Sequence, residues 1–121
     1  MAIRILVVDD DAGFLGVAVE LLTVRGFEVL GTATDPAQAL AAAVSQCPDG
    51  ILLDIQFPGG DGFSAARALS AACPSARIVL TSAGVGHVAA ETLRGCSACA
   101  FVPKEELAVT DLADLFRRAG T

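Results

Sequence analysis

Ile51-Leu52-Leu53-Asp54-Ile55-Gln56-Phe57-Pro58-Gly59-Gly60-Asp61-Gly62 opens with three bulky aliphatics, turns to a carboxylate at position 54, and closes in a glycine-rich loop. The aliphatic run reads as a buried strand, and the loop as the turn that leads from it into a helix. A charge at the end of such a strand belongs to a site, because the carboxyl ends of strands in an α/β sheet line the ligand crevice. The same pattern recurs on either side. Asp9 and Asp10 follow Ile3-Arg4-Ile5-Leu6-Val7-Val8, and Lys104 follows Ala100-Phe101-Val102-Pro103. Lys104 is the only lysine. Carboxylates gathered around one ammonium suit the holding of a divalent cation and a phosphoryl group together.

Working outward, apolar runs alternate with segments of helical period, the pattern of βα repeats that build a parallel sheet. Strands are expected near 3–8, 27–31, 50–53, 77–81 and 99–102. The first helix carries Phe14, Val17, Ala18, Leu21 and Leu22 on one face and stops before Gly26. Asp35 caps the second ahead of Pro36, with Ala37, Leu40, Ala41 and Val44 inward and Pro48 ending the connection. The third presents Phe63, Ala66 and Leu69. A fourth near 86–94 is weakened by Gly84 and Gly86 and marked only by Ala89, Ala90 and Leu93. Thr110 is the expected cap of the last, which turns Leu112, Leu115 and Phe116 inward and places Arg117 and Arg118 where a helix dipole favours cations.

Composition removes several classes of function. At 121 residues the chain suits one domain, 1–121, and 54% hydrophobic residues supply a core. No apolar stretch approaches the roughly 20 residues of a membrane span, and the start shows no secretory pattern, so a cytoplasmic location is expected. Fourteen acids against eight bases give a charge of −6, which argues against nucleic-acid contact by this domain. Cys47, Cys73, Cys96 and Cys99 are expected as thiols in a reducing compartment. The Cys96-Ser97-Ala98-Cys99 spacing leads into a strand instead of opening a helix, so it reads as small-residue packing and not as a redox or zinc pair. His87, the single histidine, receives no role.

Taken together, Val7-Val8-Asp9-Asp10, the segment Leu52 to Gly62, Leu80-Thr81-Ser82-Ala83 and Phe101-Val102-Pro103-Lys104 make the chain resemble the receiver domain of bacterial response regulators, from Ile3 to about Ala119. The resemblance implies a flavodoxin-like (βα)5 fold with a five-stranded parallel sheet of order 2-1-3-4-5. That order sets Asp54 between the acidic pair and Thr81-Ser82. Two carboxylates about 5 Å apart repel by roughly 3 kcal/mol at an effective dielectric near 20, which a hard cation relieves. Mg2+ is the expected ion, held by Asp10 and Asp54 with help from Asp9 and a backbone carbonyl near Gln56.

By the same resemblance Asp54 accepts a phosphoryl group from the phosphohistidine of a sensor histidine kinase or phosphotransfer protein, and Lys104 holds a phosphate oxygen. Ser82, in preference to Thr81, is the switch hydroxyl, and Phe101 stands at the aromatic switch position. The implied output is the surface of helix four, strand five and helix five. Such a protein is a signalling switch and not a turnover enzyme. Two departures from the family pattern stand out: Glu105-Glu106 follows the lysine where proline is common, and Gly59-Gly60 loosens the loop after Asp54. Asp11 can serve as the cap of the first helix. Two other readings stay open on residues alone. One is a haloacid-dehalogenase-like phosphatase using Asp9 and Asp11, and the other is an interaction module that never takes phosphate. Dimerisation and a C-terminal effector domain also stay open.

Overall fold

The computed structural model describes residues 2–58, 60–84 and 86–117. Five strands, β1 (Arg4–Val8), β2 (Glu28–Ala33), β3 (Gly50–Asp54), β4 (Arg77–Ser82) and β5 (Ala100–Pro103), pair in parallel in the order β2-β1-β3-β4-β5. This is the implied order, and each strand lies within two residues of its expected position. Successive side chains along a strand face opposite ways, so each strand feeds two cores. Leu6, Val8, Ile51, Leu53, Ile78 and Leu80 meet α2 (Pro36–Gln46) and α3 (Gly62–Ala72) on one face. Ile5, Val7, Leu52, Val79 and Val102 meet α1 (Ala12–Val24) and α5 (Leu112–Arg117) on the other. Each large aliphatic so buried contributes roughly 1.5–3 kcal/mol.

The helix faces depart from expectation in instructive ways. In α1 the buried residues are Leu15, Ala18 and Leu22, while Val17 is 64% exposed and Phe14 and Leu21 are half-buried. The stripe is rotated by part of a turn, which carries Phe14 toward the crevice. In α2 the inward residues are Ala39 and Ala43, with Ala42 beside them, and Leu40 and Val44 face out with Ala37 and Ala41. This helix packs both on the sheet and along α3, and alanine permits that close approach where leucine and valine do not.

The helix expected near 86–94 is reduced to α4 (Ala90–Gly95), which has no buried residue and no side-chain cap, in keeping with its glycine-rich approach. Leu93 still packs against the core edge. The chain after Lys104 forms a 3-10 helix over Lys104–Val109. Thr110 does not cap α5: its hydroxyl donates back to the Glu106 carbonyl at 2.7 Å, and the Asp111 carboxylate accepts from Asp114 N at 3.1 Å instead. Arg118 lies outside the described residues.

Two ties hold the α1/α5 side together. Phe116 covers Gly50 so closely that a Cβ at Gly50 would stand 2.2 Å from the ring, which restricts that start of β3 to glycine. The Arg25 guanidinium, at the end of α1, donates to the carbonyls of Leu107, Ala108 and Thr110. No helix among the described residues is long and apolar enough to cross a membrane.

Candidate functional site

Three carboxylates converge at the carboxyl end of the sheet because β1 and β3 are neighbours in register, with Val8 opposite Leu53. Asp9 extends β1 through its N–H to the Ala33 carbonyl at 3.0 Å and is fully buried. Its Oδ1 accepts from Asp11 N at 2.9 Å, and its Oδ2 meets Lys104 Nζ at 2.7 Å as an ion pair, with no other polar partner among the described residues. Asp10 is exposed. Asp54 is 3% exposed and accepts from Gln56 N at 3.3 Å through Oδ1. Carboxylate oxygens of Asp9, Asp10 and Asp54 lie within 4.8 Å of one another.

This crowding appears in the proton affinity of Asp54, pushed up to about 6 from an ordinary 3.8. Burial is the largest cause, followed by the negative charge of Asp9; Asp10 adds to it, while the Gln56 N–H and the Lys104 charge oppose it. Asp9 pairs directly with Lys104, whereas Asp54 feels that cation only as a weaker opposing charge and is left buried with its own charge largely unrelieved. A site of that kind favours an added cation. The donor set, all hard oxygen and acidic, fits Mg2+ or a similar ion.

The loop after Asp54 is braced where the sequence showed only flexibility. Gln56–Phe57 and Gly60–Asp61 pair as a short antiparallel ribbon, and the Asp61 carboxylate caps α3 through Phe63 N at 2.9 Å. Gly62 must be glycine here, since a Cβ would lie 2.2 Å from the Ile55 backbone.

Thr81 and Ser82 end β4 on opposite faces. Thr81 sits opposite Asp54 in the ladder, and its buried hydroxyl finds no hydrogen-bond partner among the described residues. Ser82 Oγ donates to Gln56 Oε1 at 2.9 Å and accepts from Gly84 N at 3.1 Å. Phe101, opposite Leu80 on β5, is half-buried against the α3-side core.

Asp11 stands apart from the carboxylate group. It caps α1, accepting from Gly13 N at 2.9 Å and Phe14 N at 3.3 Å. The Cys96 and Cys99 thiols reach the carbonyls of Leu93 and Leu115 in different cores, which agrees with packing and not with a redox pair. Residue types alone did not show two contacts: the Phe14 ring under Lys104 Nζ, 4.0 Å from its centroid, and the Gln56 amide on Ser82. The one local signal for the first was an aromatic three residues beyond a capping aspartate, at the turn nearest the crevice.

The sequence profile described as the response regulator receiver domain matches residues 5–116. A protein-glutamate methylesterase/protein-glutamine glutaminase of Anaeromyxobacter dehalogenans is 44% identical over 81 residues, covering 66% of this chain and 23% of that protein. The chain thus spans about a quarter of that relative. The chemotaxis protein CheY of Bacillus subtilis is 37% identical over 83 residues, 69% of each chain. A solved response regulator of Burkholderia pseudomallei, carrying a phosphorylated aspartic acid, a calcium ion and citrate, superposes with a TM-score of 0.77 at 26% identity, over 93% of this chain and 65% of that one.

Proposed function

Because the chain belongs to the response regulator receiver domain family and is a phospho-accepting receiver, we propose that Asp54 is the residue that takes the phosphoryl group. The observation that carries this is a buried carboxylate at the end of β3, between a lysine-paired Asp9 and the hydroxyls of β4, with its proton affinity raised. An Asp54 oxygen forms a bond to phosphorus as the phosphorus–nitrogen bond of a donor phosphohistidine breaks, and the departing imidazole keeps the electron pair. Transfer of this kind passes through a loose, charge-spread transition state, so positioning and neutralisation supply the acceleration.

Asp10, Asp54 and the Gln56 carbonyl would hold Mg2+, with Asp9 supporting from behind, since both Asp9 oxygens already have partners. When bound, the ion supplies positive charge to the gathering phosphoryl oxygens. Lys104 supplies a second positive group and holds an oxygen of the bound phosphate. Ser82 then leaves Gln56 for the phosphate, and Phe101 fills the space it vacates, which moves the surface of α4, β5 and α5. Moving such a balance from 1:99 to 99:1 takes roughly 5.5 kcal/mol, which several charge-assisted bonds to a dianion supply and one does not.

The partners in this reading are a sensor histidine kinase or a phosphotransfer protein, in the cytoplasm, with no direct nucleic-acid contact by this acidic domain. Residues 1–121 act as one switch, without turnover of their own. Effector chemistry would lie outside the receiver; in the methylesterase relative the matched stretch is 23% of the protein, which leaves room for such chemistry there. The test is intact-mass measurement after treatment with a small phosphodonor and Mg2+. One added phosphoryl group is expected, lost in Asp54→Asn and lost on chelation; an Asp54→Asn chain that labels like the parent refutes the assignment.

A further inference from the structure

Lys104 Nζ has two neighbours of opposite kind: the Asp9 carboxylate at 2.7 Å and the face of the Phe14 ring, 4.0 Å from its centroid. The geometry assigns Phe14 a role in the phosphoryl-transfer reading above, as the positioning residue for Lys104. A lysine ammonium rides on a flexible four-carbon stem, and an ion pair with one carboxylate leaves it free to pivot about that contact. The ring removes this freedom. It attracts the cation through its quadrupole yet offers no lone pair, so it competes weakly for the N–H groups that a phosphoryl oxygen must reach. An acidic or amide side chain in its place would hold the lysine by taking one of those donors.

The ring itself is held from below. Phe14 N donates to the Asp11 cap at 3.3 Å, and the side chain packs half-buried against the α1/α5 core. The sequence therefore ties the cap of α1 to the lysine on the far side of the crevice: Asp11 sets the first turn, the turn sets Phe14, and Phe14 sets Lys104.

The test compares phosphorylation rates with a small phosphoramidate donor at saturating Mg2+, followed by intact mass. Phe14→Leu, which keeps apolar bulk without a π face, is expected to react about three- to tenfold slower, and Phe14→Tyr to match the parent within about twofold. Mg2+ affinity should be unchanged in both. In a Lys104→Ala background, Phe14→Leu should add nothing, since the ring acts only through the ammonium. If Phe14→Leu unfolds, Phe14→Met carries the same comparison. Rates equal to the parent for both ring-less variants, a Tyr variant as slow as Leu, or an equal slowing without Lys104 would each overturn the role of Phe14 and leave the receiver reading intact. A parent chain that takes no phosphoryl group overturns both.

Discussion

The helices that follow β3 and β4 are anchored to different degrees, although both strands are buried. On the β1/β3 side, every residue of β3 is buried and the neighbouring α3 is eleven residues long, capped by Asp61 and anchored by Leu69 at 1% exposure. On the β4/β5 side, α4 has six residues, none buried and no side-chain cap. In the proposed reading, the acids that would bind metal and accept phosphate lie in the first half, and the hydroxyl and aromatic that would report the reaction stand beside the second. A switch needs this division, because charge must be held in place while the surface that signals must have two arrangements of similar energy.

The largest effect that would break this comparison is on chemistry. Asp10→Asn should weaken Mg2+ by at least about tenfold through the loss of a ligand, whereas Lys104→Ala should leave Mg2+ affinity within about threefold and slow transfer. Metal titration of both variants decides it, and an equal loss of affinity would mean that the roles are not divided. Next in size is packing. Leu69→Ala should cost about 2–5 kcal/mol in denaturant unfolding, and Leu93→Ala on α4 less than about 1.5 kcal/mol; similar losses would erase the difference between the halves.

A smaller effect concerns pH. The Asp54 carboxyl stands at about 6 in the fold against an ordinary 3.8, so between those values the native chain keeps a proton that the unfolded chain has shed. Stability from this group is therefore present at low pH and lost as pH rises through that window. Metal-free parent should lose stability relative to Asp54→Asn between about pH 4 and 7, by up to about 3 kcal/mol, and Mg2+ should restore it. Thermal melts across that range, with and without Mg2+, measure it; parallel curves would contradict an unrelieved buried charge. Smallest is the reporter. Phosphorylation should change hydrogen exchange most across residues 83–107 and little in α1 and α2, and Gln56→Ala, which frees Ser82 in advance, should reduce that change by about twofold or less.

Strand positions and the charges at their ends were legible because burial forbids a lone Asp or Lys directly after an aliphatic run unless the strand ends there at a polar crevice, whereas the strand order was legible only through the resemblance to the receiver family. The helix faces were less so. In α2, alanines at 37, 39, 41, 42 and 43 let two faces qualify, and the side toward α3 was chosen by spacing between elements, which periodicity does not encode. Thr110 and Asp111 are adjacent candidates for one cap, and only the backbone path out of the 3-10 helix separates them. The Phe14–Lys104 and Gln56–Ser82 contacts join residues 90 and 26 positions apart in the chain, beyond any local pattern.

Arg25 gives the molecule a mechanical property as well. Its guanidinium gathers three carbonyls at the far end of the segment that begins with Lys104, and α1, whose last residue precedes Arg25, begins beside the acidic pair. Helix, arginine, 3-10 segment and lysine form a closed linkage, pinned again where Lys104 meets Asp9. A displacement of α1 therefore has a bonded path to both sides of the crevice, through its start beside the acids and through Arg25 to the segment that carries Lys104.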